Sequence, residues 1–433
     1  MTSLLDRRPE TVPRPGTRFY YGWVIVVVAA LAMTATLPGR TNGLGLIAKP
    51  LLDDLDIGEV LFGALNFWSV LLGALLCLPT GWLIDWLGAR VVLVGVSLSL
   101  GAAVLLMSRV TGVASLFLAL TLVRGLGQGA LSVVSMALVG KWFTRRLGPA
   151  MGVYTVLLAV GFMATTVTVG YAAEVYSWRS VWEGVGLALC LGLAPVGWLL
   201  ARSTPESCGL AVEQKTPTVA VLAAGPGDVS LSAALRTPLF WVFTLSAGLF
   251  NLMWSAVTLF SESLLKDHNL NHDTFVLLMA VLVLSGLPSN LIGGWLATRR
   301  PLGRVLAVGL LFLGASLLAF PFVTTMAGAV AYGLVLGVAG GIITVVFFTA
   351  YGHAFGRAHL GQIQAAVQVM SVFASAMGPL LLAFCKEATG SSHPLFFAAA
   401  PAALGLAACA WWVRVPSVAA VETKTISEEV YRE

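Results

Sequence analysis

The sequence predicts an all-α membrane protein whose twelve transmembrane helices form two pseudo-symmetric bundles of six. Three observations support this fold class. Hydrophobic residues make up 58% of the 433 residues and charged residues only 10%, whereas an ordinary soluble domain contains about 25% charged residues. Long segments free of Asp, Glu, Lys and Arg recur along the chain, and its two halves match each other at a nearly constant offset. An ordinary soluble globule is therefore excluded.

The charge-free segments define twelve predicted membrane spans, because about 20 apolar residues cross the hydrocarbon core as a helix. The segment 305–356 is long enough for two spans with a turn near Pro321 to Thr325, and 110–140 forms one span that only Arg124 interrupts. The other nine spans are the segments 19–39, 60–84, 91–108, 147–173, 184–201, 237–261, 274–298, 358–385 and 388–413.

Positive charge lies mainly on one side of this topology. With a cytoplasmic N-terminus, 18 of the 25 Lys and Arg lie in cytoplasmic segments, five lie in outer loops, and Arg40 and Arg124 lie within spans. This distribution follows the positive-inside rule and predicts a multi-pass protein of the cell inner (plasma) membrane with both termini cytoplasmic. The net charge of +5 thus reflects topology, and no nucleic-acid partner is expected.

The chain contains an internal repeat. A shift of 213 residues places Gly81-Trp82-Leu83 on Gly294-Trp295-Leu296, and a shift of 212 places Gly140 on Gly352. Parallel six-helix halves are typical of rocker-type carriers, whose site lies near the midplane between the halves. The predicted organisation is a cytoplasmic N-terminal tail (1–18), an N-terminal six-helix bundle (19–202), a cytoplasmic linker (203–236), a C-terminal six-helix bundle (237–414) and a cytoplasmic C-terminal tail (415–433).

Two short motifs resemble signatures of the major facilitator superfamily. One is GWLIDWLGAR at Gly81–Arg90, between spans 2 and 3, with a weaker copy at Gly294–Arg304. The other is RGLGQG at Arg124–Gly129 in span 4. The resemblance covers roughly residues 19–414. It implies the major facilitator fold and secondary active transport by alternating access.

Three further stretches are similar to the bacterial monocarboxylate and oxalate/formate antiporter group. They are Trp178-Arg179, Thr204-Pro205-Glu206 with Gly209-Leu210, and Leu235-Arg236-Thr237-Pro238 with Phe240-Trp241. This resemblance implies a small organic anion, such as a monocarboxylate, as the substrate. The alternatives are export of amphipathic or neutral small molecules and, from a different class, a non-transporting membrane sensor on the same fold.

The motif between spans 2 and 3 contains the candidate gating residues. Gly81 and Gly88 are expected to let the ends of spans 2 and 3 approach closely around a tight turn. Asp85 is expected to accept hydrogen bonds from helix-end N–H groups or to pair with Arg90 or Arg145. We hypothesise that it forms a latch that stabilises the outward-facing state; the alternative is a solvated turn carboxylate. Because the second copy of the motif lacks this acid, the gate need not be symmetric.

Two arginines within spans are candidate anion ligands. Burying the Arg124 cation costs at least about 2.5–3.5 kcal/mol, so it should face protein or a watery cavity, and Gln128 lies on the same helical face. The alternative for Arg124 is satisfaction by neighbouring helix carbonyls. Arg40 follows Pro38 and Gly39, which break the helix in the outer half of span 1, and its planar fork could hold a carboxylate. The alternative for Arg40 is that it extends to the outer surface.

Neutral polar and aromatic side chains complete the predicted substrate site. These are Asn66 in span 2, Asn251 and Trp254 in span 7, and Gln368 in span 11. Residues of this type at helical spacing line a central pathway or hold helices together by hydrogen bonds. Both roles remain open from the sequence.

Acidic residues are missing from the middle of every predicted span, so a buried proton-relay carboxylate is not expected. Glu262, near the outer end of span 7, is the nearest candidate; it is either an outer-gate residue or a solvated residue at the mouth. A coupling ion, proton or sodium, therefore stays open. The sequence contains no nucleophile with a nearby base, no metal-ligand spacing and no cofactor motif within the spans. It predicts a monomeric, non-enzymatic protein in the lipid bilayer that needs no cofactor or metal.

Overall fold

In the computed structural model, which describes residues 20–144, 146–208 and 229–413, the described chain is helical and contains no strand. Six helical segments form the first half. They are α1 (Gly22–Thr34), α2 (Glu59–Ala74 and Cys77–Leu87), α3 (Ala89–Met107), α4 (Val113–Val123, Arg124–Leu131 and Ser132–Trp142), α5 (Leu147–Val175) and α6 (Trp178–Ala188, Leu189–Leu193 and Ala194–Leu200).

Six more segments form the second half. They are α7 (Pro238–Asp267), α8 (His272–Arg299), α9 (Leu302–Ala319), α10 (Met326–Phe355), α11 (Leu360–Thr389) and α12 (His393–Trp412). Short helical segments between these at Leu37–Gly39, Thr41–Gly45, Ala48–Leu55, Glu206–Cys208, Leu231–Ala234 and Phe320–Phe322 complete the described elements.

Eleven of these helical segments are long and apolar enough to cross a membrane, and α1 is a shorter apolar helix of 13 residues. The predicted twelve-helix fold is thus confirmed. The helix α1 ends at Thr34, before a turn at Leu37–Gly39, because proline disfavours a continuing helix at the residue before it. The predicted break between spans 9 and 10 is also confirmed, since α9 ends at Ala319 and α10 begins at Met326.

Some predicted helix ends were wrong, because each span was bounded by its first and last charged residue and the helices extend beyond those residues. Span 6 was predicted from residue 184, yet α6 begins at Trp178. Arg179 and Glu183 lie within its first turns, where they pair with Asp54 and Arg109 at the bundle end. Charged side chains are tolerated in the last turns of a membrane helix because they can reach polar surroundings.

Each half has its own buried apolar cluster. The first cluster is built from α1 to α6 and includes three side chains from the second half, Val345, Phe348 and Ala365. The second cluster is built from the short helix Leu231–Ala234 and α7 to α12. A third, small cluster of Val70, Ala74 and Val372 lies across the boundary between the halves. The halves therefore also pack against each other through α2 and α11.

Glycines bring the halves together at the end of the bundle where residues 203–208 lie, called here the linker end. A Cβ on Gly81 of α2 would lie 2.6 Å from the Gly361 carbonyl oxygen of α11, and one on Gly148 of α5 would lie 2.5 Å from the Gly294 oxygen of α8. The shift of 213 residues exchanges these two contacts. The expectation that Gly81 joins spans 2 and 3 was wrong, because its close partner is α11. Gly88, with φ of 87°, forms the turn between α2 and α3.

Candidate functional site

A cavity of about 110 Å³ lies between the two halves. It has room for several water molecules or a small metabolite. Its walls combine one arginine, neutral polar side chains and phenylalanines. The lining residues are Met33, Arg40, Ser132 and Met136 from the first half and Ala247, Phe250, Asn251, Ile343, Thr344, Phe347, Phe348, Gln368 and Ser371 from the second.

Among the described residues, Arg40 is the only charged one that lines this cavity. Its Nε donates to Thr36 Oγ1 at 2.7 Å, and its Nη2 donates to Ser132 Oγ at 3.3 Å and lies 3.2 Å from Met33 Sδ. The guanidinium lies 5.0 Å above the ring of Phe162. These contacts direct the side chain against α4 and α5, so the alternative in which it extends to the outer surface was wrong.

The Nη1 atom of Arg40 has no acceptor among the described residues, and it is not one of the atoms that protein encloses completely. The described residues also place no carboxylate within ion-pair distance of this guanidinium. The Arg40 side chain is half-buried, and withdrawing a cation from water without a counter-charge is costly. Arg40 therefore presents free N–H donors and positive charge to whatever occupies the cavity.

Arg124 is held by protein and does not line the cavity. Its side chain is 2% exposed, and its Nε donates to Asn66 Oδ1 at 3.1 Å, with Nη2 donating to the same oxygen. Its Nη1 donates to the Gly39 carbonyl at 3.2 Å, to Thr41 Oγ1 at 3.3 Å and to Gln128 Oε1 at 3.4 Å. Arg124, Asn66 and Gln128 thus fasten the turn that carries Arg40.

The middle of α4 has the local structure that makes this network fit. Residues Arg124–Leu131 form a π-helical section, and this section contains three glycines. A Cβ on Gly127 would lie 3.0 Å from the Gly39 Cα, and one on Gly125 would lie 2.7 Å from the Gly73 carbonyl oxygen. Small residues let helix backbones approach this closely in membranes. The turn after α1 and the helix α2 therefore both pack directly against α4.

Replacing Arg124 with methionine is expected to destabilise the folded protein by about 2–4 kcal/mol. The change leaves the half-buried Asn66 side-chain oxygen and the buried Gly39 carbonyl without these donors, and an unsatisfied buried group costs about 1–3 kcal/mol. Thermal unfolding in detergent should show an apparent melting temperature lowered by several degrees. Arg109→Met is the control, because this arginine is 77% exposed and its one ion-pair partner among the described residues is Glu183. Equal melting temperatures for the two variants would contradict the fastening role.

The second half supplies the polar wall of the cavity. Asn251 Nδ2 donates to the Ala247 carbonyl at 2.8 Å and to Ser371 Oγ at 2.9 Å, which ties α7 to α11. Gln368 Nε2 donates to the Gln128 carbonyl at 3.1 Å, across the boundary between the halves. Both residues line the cavity as well, so they combine the two roles that the sequence left open. Trp254 does not line it and packs behind Phe250, with ring centroids 5.5 Å apart.

Asp85 lies at the linker end and joins three helices. Its Oδ1 is 2.9 Å from Lys141 Nζ of α4, and the two side chains are 8% and 9% exposed. Its carboxylate also accepts from the backbone N–H groups of Gly361 at 3.1 Å and Gln362 at 3.0 Å, in the first turn of α11. The expected acceptance from helix-end N–H groups is confirmed. A carboxylate is stabilised there by the helix dipole as well.

The expected partners of Asp85 need correction. Arg90 does not reach it: Arg90 Nε donates to the Trp198 carbonyl at 2.9 Å, and the guanidinium lies 4.4 Å above the Trp198 ring. Arg145 lies outside the described residues. The actual partner, Lys141, was missed, although its position just after the predicted span 110–140 places it at the same end as Asp85.

Arg357 adds a second link at the linker end. Its Nη1 donates to the Lys141 carbonyl at 2.7 Å, and its Nη2 pairs with Glu206 in the short helix after α6. Partial burial raises the pKa of Glu206, whereas a backbone hydrogen bond and the Arg357 cation lower it. The lowering effects together are larger, so this pKa lies below its usual range. Glu206 is therefore ionised at neutral pH.

The two repeat-related contacts at the linker end differ in their side chains. At the repeat-related position of Asp85, Thr298 donates to the Trp295 carbonyl of its own helix at 2.7 Å. The second glycine contact, between Gly148 and Gly294, thus has no matching carboxylate. The side chain of Glu262, the candidate for the opposite gate, lies outside the described residues.

Comparisons with known proteins agree with this architecture. A family model described as Major Facilitator Superfamily matches residues 22–379 and 265–430. Monocarboxylate transporter 13 of Bos taurus is 25% identical over 307 residues, which are 70% of this chain and 68% of that protein. Monocarboxylate transporter 12-B of Danio rerio is 25% identical over 353 residues, which are 75% of this chain and 72% of that protein.

A solved structure has the same fold. The human organic anion transporter MFSD10 (TETRAN) superposes with a TM-score of 0.64 and covers 90% of this chain and 98% of its own. The two sequences are 14% identical in this superposition, so the likeness concerns the fold alone.

Proposed function

The chain belongs to the Major Facilitator Superfamily, and from this premise we propose that it is a secondary active transporter of a small organic anion, such as a monocarboxylate. One observation carries the substrate class: the cavity between the halves contains a cation, Arg40, that has free donors and no carboxylate partner among the described residues. The relatives named monocarboxylate transporters support the same class.

A bound carboxylate would supply the missing counter-charge. Two oxygens of a carboxylate match the planar donors of a guanidinium, and such charge-assisted bonds are strong where water is excluded. The phenylalanines of the cavity, Phe250, Phe347 and Phe348, would contact the apolar part of the substrate. A small anion with a short apolar body therefore fits both the charge and the walls.

The arrangement at the linker end supports alternating access as the mechanism. The two glycine contacts and the hydrogen bonds from the backbone N–H groups of Gly361 and Gln362 to Asp85 hold the halves together there. With both termini in the cytoplasm, as the distribution of Lys and Arg predicts, this conformation is closed toward the cytoplasm. Substrate binding would neutralise Arg40 and favour closure of the halves at the opposite end, which in turn opens the linker end.

Transport in proteoliposomes tests the proposal. Purified protein should take up a radiolabelled monocarboxylate in a saturable way, and the same compound should raise the thermal stability of the detergent-solubilised protein, because ligands that bind the folded state stabilise it. Imposed substrate, proton and sodium gradients identify the coupling ion. Failure to move any organic anion under all three gradients would overturn the proposal. A response to neutral or amphipathic compounds alone would favour the exporter instead.

A further inference from the structure

The two amides in the cavity wall have orientations that backbone carbonyls determine. Asn251 uses Nδ2 to donate to the Ala247 carbonyl, and Gln368 uses Nε2 to donate to the Gln128 carbonyl. A carbonyl oxygen can only accept, so the amide nitrogen must lie on that side in each case. The positions of Asn251 Oδ1 and Gln368 Oε1 follow from this without ambiguity.

Both amide oxygens lack a donor. Among the described residues nothing donates to Asn251 Oδ1 or Gln368 Oε1. Neither oxygen is fully enclosed by protein, so both remain accessible. Both residues line the cavity. The second half therefore presents two open acceptors, whereas the first half presents the donors of Arg40.

The charges of the cavity indicate which kind of ligand group can donate to these two oxygens. The lining residues that the structure describes include one cation and no carboxylate. A ligand ammonium group would therefore find no counter-charge, and a second carboxylate would face amide oxygens that can only accept. A neutral hydroxyl or N–H group satisfies the acceptors without either penalty. The hydroxyls of Ser371 and Thr344 can donate or accept, so they do not change this polarity.

We infer that the transported anion is a monocarboxylate that carries a neutral hydrogen-bond donor, which Asn251 Oδ1 and Gln368 Oε1 receive while Arg40 holds the carboxylate. This inference rests on the proposed function and specifies its substrate class. An analogue without the donor leaves both acceptors unpaired when the halves close and exclude water. Sites built to bind a polar substrate group discriminate strongly against analogues that lack it.

The test compares pairs of acids in which a methyl group replaces the hydroxyl. The pairs are 2-hydroxybutanoate with 2-methylbutanoate, 3-hydroxybutanoate with 3-methylbutanoate, and 4-hydroxybutanoate with pentanoate. We expect the hydroxy acid of at least one pair to be transported with a kcat/KM about 10- to 100-fold higher. 4-Aminobutanoate and butanedioate, which match 4-hydroxybutanoate in length, should each be poorer than the hydroxy acid.

Variants locate the selectivity. Gln368→Met keeps the length of the side chain but removes the acceptor, so it should reduce the preference for the hydroxy acid by about tenfold. Asn251→Leu should act in the same direction. Ser316→Ala is the control, because this hydroxyl donates to the Leu313 carbonyl of its own helix, α9, away from the cavity. The comparison of hydroxy acids with their methyl analogues uses the wild-type protein, so it is informative even if a variant fails to fold.

The possible failures are distinguishable. Transport of all monocarboxylates with less than about twofold difference within every pair would overturn this inference and leave the proposed function standing. A preference for 4-aminobutanoate or butanedioate over 4-hydroxybutanoate would also overturn it. No transport of any carboxylate would overturn the proposed function and this inference together.

Discussion

Arg40→Gln is expected to lower kcat/KM for a transported monocarboxylate by about 100-fold. The change removes the charge-assisted bonds to the carboxylate, and a loss of about 3 kcal/mol corresponds to about this factor. The stability of the ligand-free protein should not fall together with its transport activity. Because Arg40 has no carboxylate partner among the described residues, removing its charge should leave the melting temperature of the ligand-free protein unchanged or raise it. Uptake assays and thermal unfolding of the same preparation measure both quantities.

Two further variants complete this experiment. Arg40→Lys retains the positive charge but loses the planar fork, so its activity should lie between those of the wild type and Arg40→Gln. Arg109→Gln removes an exposed arginine at the bundle surface and should transport at the wild-type rate. Undiminished monocarboxylate uptake by Arg40→Gln would show that Arg40 does not bind the substrate.

Asp85→Asn is expected to shift the protein toward the conformation that is open at the linker end, by on the order of 100-fold. The carboxylate pairs with Lys141 and accepts from the first turn of α11. Lys141 belongs to the same half as Asp85, so the bonds that differ between the two conformations are those from Gly361 and Gln362. A hydrogen bond to a charged group contributes about 1.5–3 kcal/mol, and the carboxamide of Asn offers one acceptor oxygen where the carboxylate offers two. A population shift of this size follows from such a difference.

Thiol labelling measures this shift. Thr344 lines the cavity, so Thr344→Cys in a background without the five native cysteines reports access from each side of the membrane. Asp85→Asn should increase labelling from the cytoplasmic side and decrease it from the other. Asp267→Asn is the matched control, because this acid pairs with Lys386 where both side chains are 40% exposed. An unchanged labelling ratio in Asp85→Asn would mean that the carboxylate is not a latch.

Properties of single segments could be predicted from the sequence. The fold class, the number and order of the helices and the break after α1 depend on apolar length, charge and Pro38, and each of these is visible in a window of about 20 residues. The internal repeat also aligned Thr298 with Asp85, from which we expected that a gate at this end need not be symmetric. Phe347 and Phe348 of the cavity wall were missed, because apolar residues that face a cavity do not differ in sequence from those that face lipid or core.

The sequence by itself determined that two arginines lie within apolar spans. Only the tertiary structure decided that protein groups satisfy the donors of Arg124 and leave donors of Arg40 free. Arg124 is saturated because Asn66, 58 positions away, and Gly39, 85 positions away, reach its guanidinium. Arg40 meets Ser132, 92 positions away, and keeps Nη1 without an acceptor among the described residues. Hydrogen bonds over such separations depend on how closely helices pack, here on the glycines of α4. Packing distances of a few tenths of an ångström decide this outcome, and no local sequence pattern encodes them.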